Sequence, residues 1–174
     1  MTKEPAWLRA ARAKLGTREA PGAANNPTIM GWAKRLGVKV LGIVYNADSV
    51  PWCGLFVAQC ISDGGIDLAN DRVHRMSVAV RASAWSTWGQ PMPLTRLAPG
   101  AILVFSRSGG GHVGLYVGED ADAYHVLGGN QSDNVTITRI AKGRLTAARW
   151  PAGVPVVGAP VLLAMAGGLS SNEA

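Results

Sequence analysis

The sequence predicts an α+β fold, with N-terminal helices packed on a small antiparallel sheet. Two observations lead there. Up to residue 88, apolar residues recur at helical spacing. Beyond the proline-rich stretch 90–99, short runs of β-branched and aromatic residues alternate with glycine and acidic turns. Helices followed by antiparallel strands imply α+β. With 174 residues, 48% hydrophobic and 16% charged, the chain suits one domain that needs no cross-links to hold a core.

Each element has its own signal. Residues 6–15 read as an amphipathic helix with Trp7, Ala11 and Leu15 on one face, stopped by Gly16. Residues 20–27 form a loop. Thr28 is the expected cap of a second helix, with Ile29, Trp32 and Leu36 as its stripe and Gly37 as its end. Residues 38–50 are ambiguous and close on an expected cap, Asp48 or Ser49. The third helix starts near Pro51, runs through Ser62 and ends at Gly64-Gly65. Residues 77–88 suggest another short helix carrying Trp85 and Trp88, and residues 90–99 a connector. Strands follow at 101–105, 112–118, 124–127 and 135–140, with turns at 107–111 and 119–123. The apolar stretch 154–166, broken by Pro155 and Pro160, reads as a tail packed on the domain or loosely ordered. The expected division is one domain over 1–153 and an Ala/Gly/Val-rich tail over 154–174. The tail is expected to be dispensable for catalysis.

Composition removes several function classes. No apolar run reaches the roughly 20 residues that cross a bilayer, and the first residues lack the apolar core of a signal peptide. The net charge of +6 favours a polyanionic partner. The basic residues are scattered, however, and no zinc-finger, RNP or basic-zipper pattern accompanies them, so nucleic acid is not the expected partner. Two cysteines cannot make a disulfide framework. Cys53 and Cys60, seven positions apart on one helix, stand about 10 Å apart along the axis, beyond bonding reach.

The chemistry centres on Cys53. In a first helical turn, the positive end of the helix dipole favours a thiolate, the form a nucleophile needs. A lone helical cysteine is also an ordinary core residue, and Cys60 reads that way. Of the three histidines, His112 opens a strand after Gly109-Gly110-Gly111, where another group can approach closely. If 119–123 is the turn, Gly118 pairs with Tyr124 and His112 lies opposite Asn130, on the same face. An amide beside an imidazole can fix its tautomer, the third role in a Cys-His-Asn arrangement. A bulge at Gly128-Gly129 shifts that register by one. His125 reads as a structural histidine and His74 as a surface one. No standard zinc-ligand spacing is present.

Three segments carry a family resemblance: Pro51-Trp52-Cys53-Gly54-Leu55-Phe56-Val57, Gly110-Gly111-His112-Val113-Gly114, and Leu127-Gly128-Gly129-Asn130-Gln131-Ser132. In that order, flanked by Asn25-Asn26-Pro27, Trp88-Gly89, Pro99-Gly100-Ala101 and Arg149-Trp150-Pro151, the chain resembles the CHAP/NlpC-P60-type cysteine peptidases. More narrowly it resembles a phage and prophage branch of peptidoglycan hydrolases, over about residues 6–151. The resemblance implies a papain-like fold, with Cys53 as nucleophile, His112 as general base and acid, and Asn130 as the orienting group. Many CHAP domains place a glutamate just before that asparagine. Here Gly128-Gly129 stands there, so the third member is polar and not acidic, with Gln131 as the alternative. Trp52 and Trp85 are candidates to line a substrate groove, and Asp48 a supporting residue, helix cap or catalytic group. No metal or cofactor is implied.

The activity so implied is hydrolysis of an amide in the peptide of bacterial peptidoglycan, as an endopeptidase or an N-acetylmuramoyl-L-alanine amidase, by a monomeric thiol enzyme of the endolysin kind. It would be made in a bacterial cytoplasm and act on the wall after release by a holin or a delivery system. A non-catalytic wall-binding module of the same fold, and a cysteine amidase or acyltransferase acting on another substrate, remain the competing classes.

Overall fold

The computed structural model describes residues 4–70, 72–73 and 75–173; His74 lies outside them. Three helices come first: α1 (Ala6–Arg12), α2 (Pro27–Leu41) and α3 (Cys53–Asp63). Six strands follow: β1 (Gln90–Pro91), β2 (Ile102–Arg107), β3 (Gly110–Glu119), β4 (Ala123–Gln131), β5 (Asn134–Ala141) and β6 (Leu145–Trp150). They form one antiparallel sheet in the order β1-β6-β2-β3-β4-β5. The architecture is therefore α+β. Among the described residues no helix is long and apolar enough to cross a membrane.

The helices depart from expectation at their ends. α1 stops at Arg12, and Leu15 is exposed rather than on the buried face with Trp7 and Ala11. A following turn instead sends the Gly16 N–H to the Val135 carbonyl, so residues 16–19 run along the start of β5. α2 is capped by Asn26, not Thr28: the Asn26 side chain accepts from the Thr28 and Ile29 N–H groups, and Pro27 fills the first helical position. Gly37 breaks its regular geometry with φ 71°, and helical backbone resumes as far as Leu41.

α3 is the central helix. Every residue from Cys53 to Ile61 is buried, because one flank meets β3 and β4 and the others meet α1 and α2. Helix and sheet approach closely where side chains are missing. A Cβ on Gly129 would lie 2.6 Å from Phe56 Cβ and 2.7 Å from the Trp52 ring. Trp32 packs on both Trp52 and Phe56, and Trp7 meets Trp150 edge-on at 5.1 Å. Full burial of such side chains stabilises by about 2 kcal/mol each.

Between α3 and the sheet, the expected helix over 77–88 reduces to one 3-10 turn, Ala82–Ser86. Its approach is pinned by backbone. The Ala79 and Val80 N–H groups bond to Val40 and Leu41 carbonyls, and a Cβ on Gly54 would meet the Ala79 carbonyl oxygen at 2.1 Å. Segment 78–86 thus lies directly on the first turn of α3.

The β3–β4 ladder contains a bulge near Val117. Glu119 pairs with Tyr124 and Gly118 with His125, not Tyr124, whereas beyond the bulge Tyr116 pairs with Val126 and Leu115 with Leu127. The expected bulge at Gly128-Gly129 has a counterpart in β4–β5, whose register breaks between Gly128 and Gln131. There Asn130 takes a left-handed conformation, φ 61°.

Residues 154–173 lie along the sheet. Leu162 bridges Glu119 in parallel, the Ser170 N–H donates to the Arg139 carbonyl and the Ser132 N–H to that of Asn172. Glu173 is buried and accepts two bonds from Arg144, at 2.7 and 3.0 Å.

Candidate active site

The N-terminus of α3 positions the cysteine. Trp52, not Asp48 or Ser49, is the residue that precedes the helix, and Cys53 is its first helical residue. Asp48 has another task. Buried between two loops, its carboxylate accepts from the Ala20 and Asn26 N–H groups at 2.9 and 2.7 Å, while Asn25 accepts from its own N–H. It ties the start of α2 to the segment before α3, and this explains its presence without a catalytic role.

Cys53 opens the helix on the wall of the cleft, and the backbone N–H groups of Val113, Gly54 and Cys53 itself act on its sulfur to favour the thiolate. The helix that carries Cys53 packs on β3, the strand that carries His112. The protonation of Cys53 differs from the expectation of a lowered thiol. Burial pushes the Cys53 thiol up, and the backbone N–H groups and the Arg107 guanidinium offset this only in part. Burial acts on His112 in the complementary sense, pushing it down to about 4 against the pull of its Gln131 partner. Near neutrality both groups rest uncharged.

The strand pairing brings Gln131, rather than Asn130, to His112. Gln131 Oε1 lies 3.1 Å from His112 Nε2. The amide direction is fixed at its other end, where Nε2 donates to the Thr136 carbonyl at 2.7 Å, to its hydroxyl at 3.2 Å and to the Val126 carbonyl at 3.3 Å. With the NH2 so committed, Oε1 must accept, and His112 Nε2 must carry the proton. That leaves Nδ1 as a lone-pair nitrogen. It is buried and has no hydrogen-bond partner among the described residues. Gly128 makes room for the pair: a Cβ there would lie 2.6 Å from Gln131 Oε1 and 3.1 Å from His112 Nε2. The Asn130 side-chain oxygen is buried without a partner among the described residues.

In front of Cys53 a cleft of about 670 Å³ opens. Its apolar lining includes Ile43, Val50, Pro51 and Phe105, and its polar lining Arg81, Ser83 and the glycine turn 109–111. Trp52 and Trp85 do not reach it. Both are fully buried, Trp52 donating to Glu19 at 2.7 Å and Trp85 to the Ala79 carbonyl at 3.0 Å. Trp85 stacks edge-on with Trp88, also buried, at 5.2 Å. Large indoles close to a nucleophile suggest a groove in sequence, but here they form its foundation.

His125 sits at the far end of the sheet. Its Nε2 lies 2.7 Å from Asp120, whose carboxylate also takes two bonds from Arg139 and the Asp122 and Ala123 N–H groups. Cys60 is buried, its thiol pushed well up by burial, and both cysteines are free. Among the described residues, no three His, Cys, Asp or Glu side chains gather as a metal site.

Sequence reasoning did not single out Arg81, Arg107 or the Val113 N–H. The glycine turn beside Arg107 is a signal for the second, but nothing in sequence marks a backbone amide. No family model matches the chain, and no curated protein matches it.

Proposed function

We propose that the protein is a cysteine hydrolase of papain-like fold that cleaves an amide bond in the peptide of bacterial peptidoglycan, as an endolysin of a phage or prophage does. One observation carries the catalytic part. A buried histidine with a fixed tautomer keeps a free Nδ1 on β3, and the helix that packs on β3 begins with a cysteine that lines an open cleft. The wall peptide as substrate rests on the three-segment family resemblance and on the chain's net charge of +6.

In this reading the resting pair is neutral, and proton transfer accompanies attack. His112 Nδ1 takes the thiol proton as sulfur bonds to the carbonyl carbon. The Cys53 N–H, left without a helical acceptor at the first position of α3, stabilises the oxyanion. His112 returns the proton to the leaving amine. Water, deprotonated by the same nitrogen, then attacks the thioester and restores the thiol, releasing a carboxylic acid. Gln131 holds the imidazole throughout.

The test is digestion of purified peptidoglycan by the wild type and by Cys53→Ala, with mass spectrometry of the fragments. The expected outcome is fragments from the wild type and none from the variant, a loss of about a thousandfold or more. The thiol's burial and its upward shift favour one other reading, a wall-binding module without catalysis. Wall pull-down by a wild type that releases nothing selects that reading; equal digestion by both proteins removes Cys53 from the chemistry.

A further inference from the structure

We propose that Glu173, carried by the segment that runs along the sheet after β6, is the counter-charge to the imidazolium that His112 forms during turnover. This rests on the reading of His112 as the base and adds a positioning residue to it.

The segment is stitched to the sheet at successive points. The Glu119 N–H donates to the Val161 carbonyl, and the Leu163 N–H to the Glu119 carbonyl. Arg139 then donates to the Gly167 carbonyl and accepts from the Ser170 N–H through its own. The last residues reach the surroundings of His112 by two anchors. On one side, the Ser132 N–H donates to the Asn172 carbonyl at 3.0 Å, one residue beyond the Gln131 that holds the imidazole. On the other, Arg144 Nε donates to the Ser106 carbonyl at 3.0 Å, and Ser106 pairs with Gly111, the neighbour of His112. Glu173 is joined to both. It follows Asn172, and its two oxygens take the Arg144 fork at 3.0 and 2.7 Å. Its side chain is 1% exposed.

A buried ion pair is weak evidence of stabilisation, because desolvation offsets the attraction. Its place beside the base gives it another use. Once His112 takes the thiol proton, a positive charge sits in a fully buried ring. The Arg144 and Arg107 guanidiniums both oppose that charge, and Gln131 is neutral. Glu173 favours it, and the influence is mutual, since His112 favours the ionised Glu173. β4 offers no carboxylate at this end: Gly128 and Gly129 have no side chains, and Asn130 and Gln131 carry no charge. Burial pushes the Glu173 carboxyl up, but the hydrogen bonds from Arg144 and Ser170 and the Arg144 charge outweigh it, and the group lies below its ordinary range. The negative charge is therefore present whenever the imidazole is neutral and ready to accept a proton. Glu173 acts through the field at His112 and touches no reacting atom. On this reading the segment after β6 is not dispensable for catalysis.

The experiment titrates the histidines of the full chain by NMR of the imidazole carbons, between about pH 8 and 2.5, in the wild type, Glu173→Gln and Glu173→Asp. His112 should titrate near 4 in the wild type, about one pH unit lower in Glu173→Gln, and back toward the wild-type value in Glu173→Asp. His125 supplies an internal check. It belongs to the Asp120–Arg139 cluster that the same segment touches, so a loosened segment moves both histidines and a lost charge moves His112 alone. An unchanged His112, or both histidines moving together in both variants, overturns the proposal. Kinetics at neutral pH give a second readout. On a defined muropeptide, kcat should fall about threefold or more in Glu173→Gln with KM unchanged, and recover in Glu173→Asp; a kcat that holds overturns the proposal. If the wild type digests no peptidoglycan, the functional reading fails, and the titration alone decides whether Glu173 sets the charge at His112.

Discussion

Two histidines stand toward opposite ends of one sheet, and their surroundings differ in kind. His125 meets a carboxylate that Arg139 and two backbone amides also hold, so every group in the cluster has a counterpart. Arg139 keeps the Asp120 carboxyl far below the usual carboxylate range. His112 meets a neutral amide at one nitrogen and, among the described residues, no hydrogen-bond partner at the other. Closed networks of charge hold a fold in place. An open lone pair in a dry site costs stability and is kept where a proton has to move. Residue type alone does not separate these histidines; the unfilled valence does.

Substitution of the two residues breaks the comparison most sharply. His112→Ala should abolish peptidoglycan digestion, a loss of about a thousandfold or more. His125→Ala should retain digestion per folded molecule and lower the melting temperature. Digestion rate and thermal denaturation, measured on both variants, check this; loss of activity in the His125 variant with intact folding would reverse the assignment.

Acid is the next lever. His112 titrates near 4 when folded and near 6.5 when unfolded. Between those values the unfolded chain binds a proton that the native chain does not. Stability is therefore full above pH 6.5 and declines as pH falls toward 4, by at most about 3 kcal/mol from this group. Urea denaturation at pH 7, 5.5 and 4 should show the decline, and His112→Gln should flatten it.

Gln131→Leu leaves the His112 Nε2–H without its acceptor and frees the ring to turn. The expected drop in kcat is about 10- to 100-fold with little change in KM, read by steady-state kinetics on a defined muropeptide. Asn130→Gly is the smallest effect. It relieves a left-handed backbone and deletes a buried unpartnered oxygen, so stability should hold or rise by about 1 kcal/mol in urea melts.

That last pair also shows where sequence reading stops. Counting from the turn placed His112 opposite Asn130, and the inner ladder, with Leu115 on Leu127, runs in that register. Alternation then implies a shared face for His112 and Asn130. The backbone turns left-handed at Asn130, which a count of residues cannot register, and the next side chain arrives at the imidazole instead. The helix bearing Cys53 was legible from Pro51, Gly64 and a continuous apolar run. β6 was not: Leu145–Trp150 is half alanine and arginine and lacks the β-branched run that marked β5. The 77–88 segment has helical spacing, yet its Ala79 and Val80 amides bond to the end of α2, leaving one 3-10 turn.

The bare Cα of Gly54 has a practical consequence for heat. It lets the 79–80 backbone lie on the first turn of α3, so Cys53, the strand that carries His112 and the cleft wall belong to one packed block rather than to a detachable loop. In many enzymes activity fades some degrees before the scaffold melts, because a lid or loop loosens first. Here the inactivation curve and the unfolding curve should superimpose, and a bulkier side chain at position 54 should move both together.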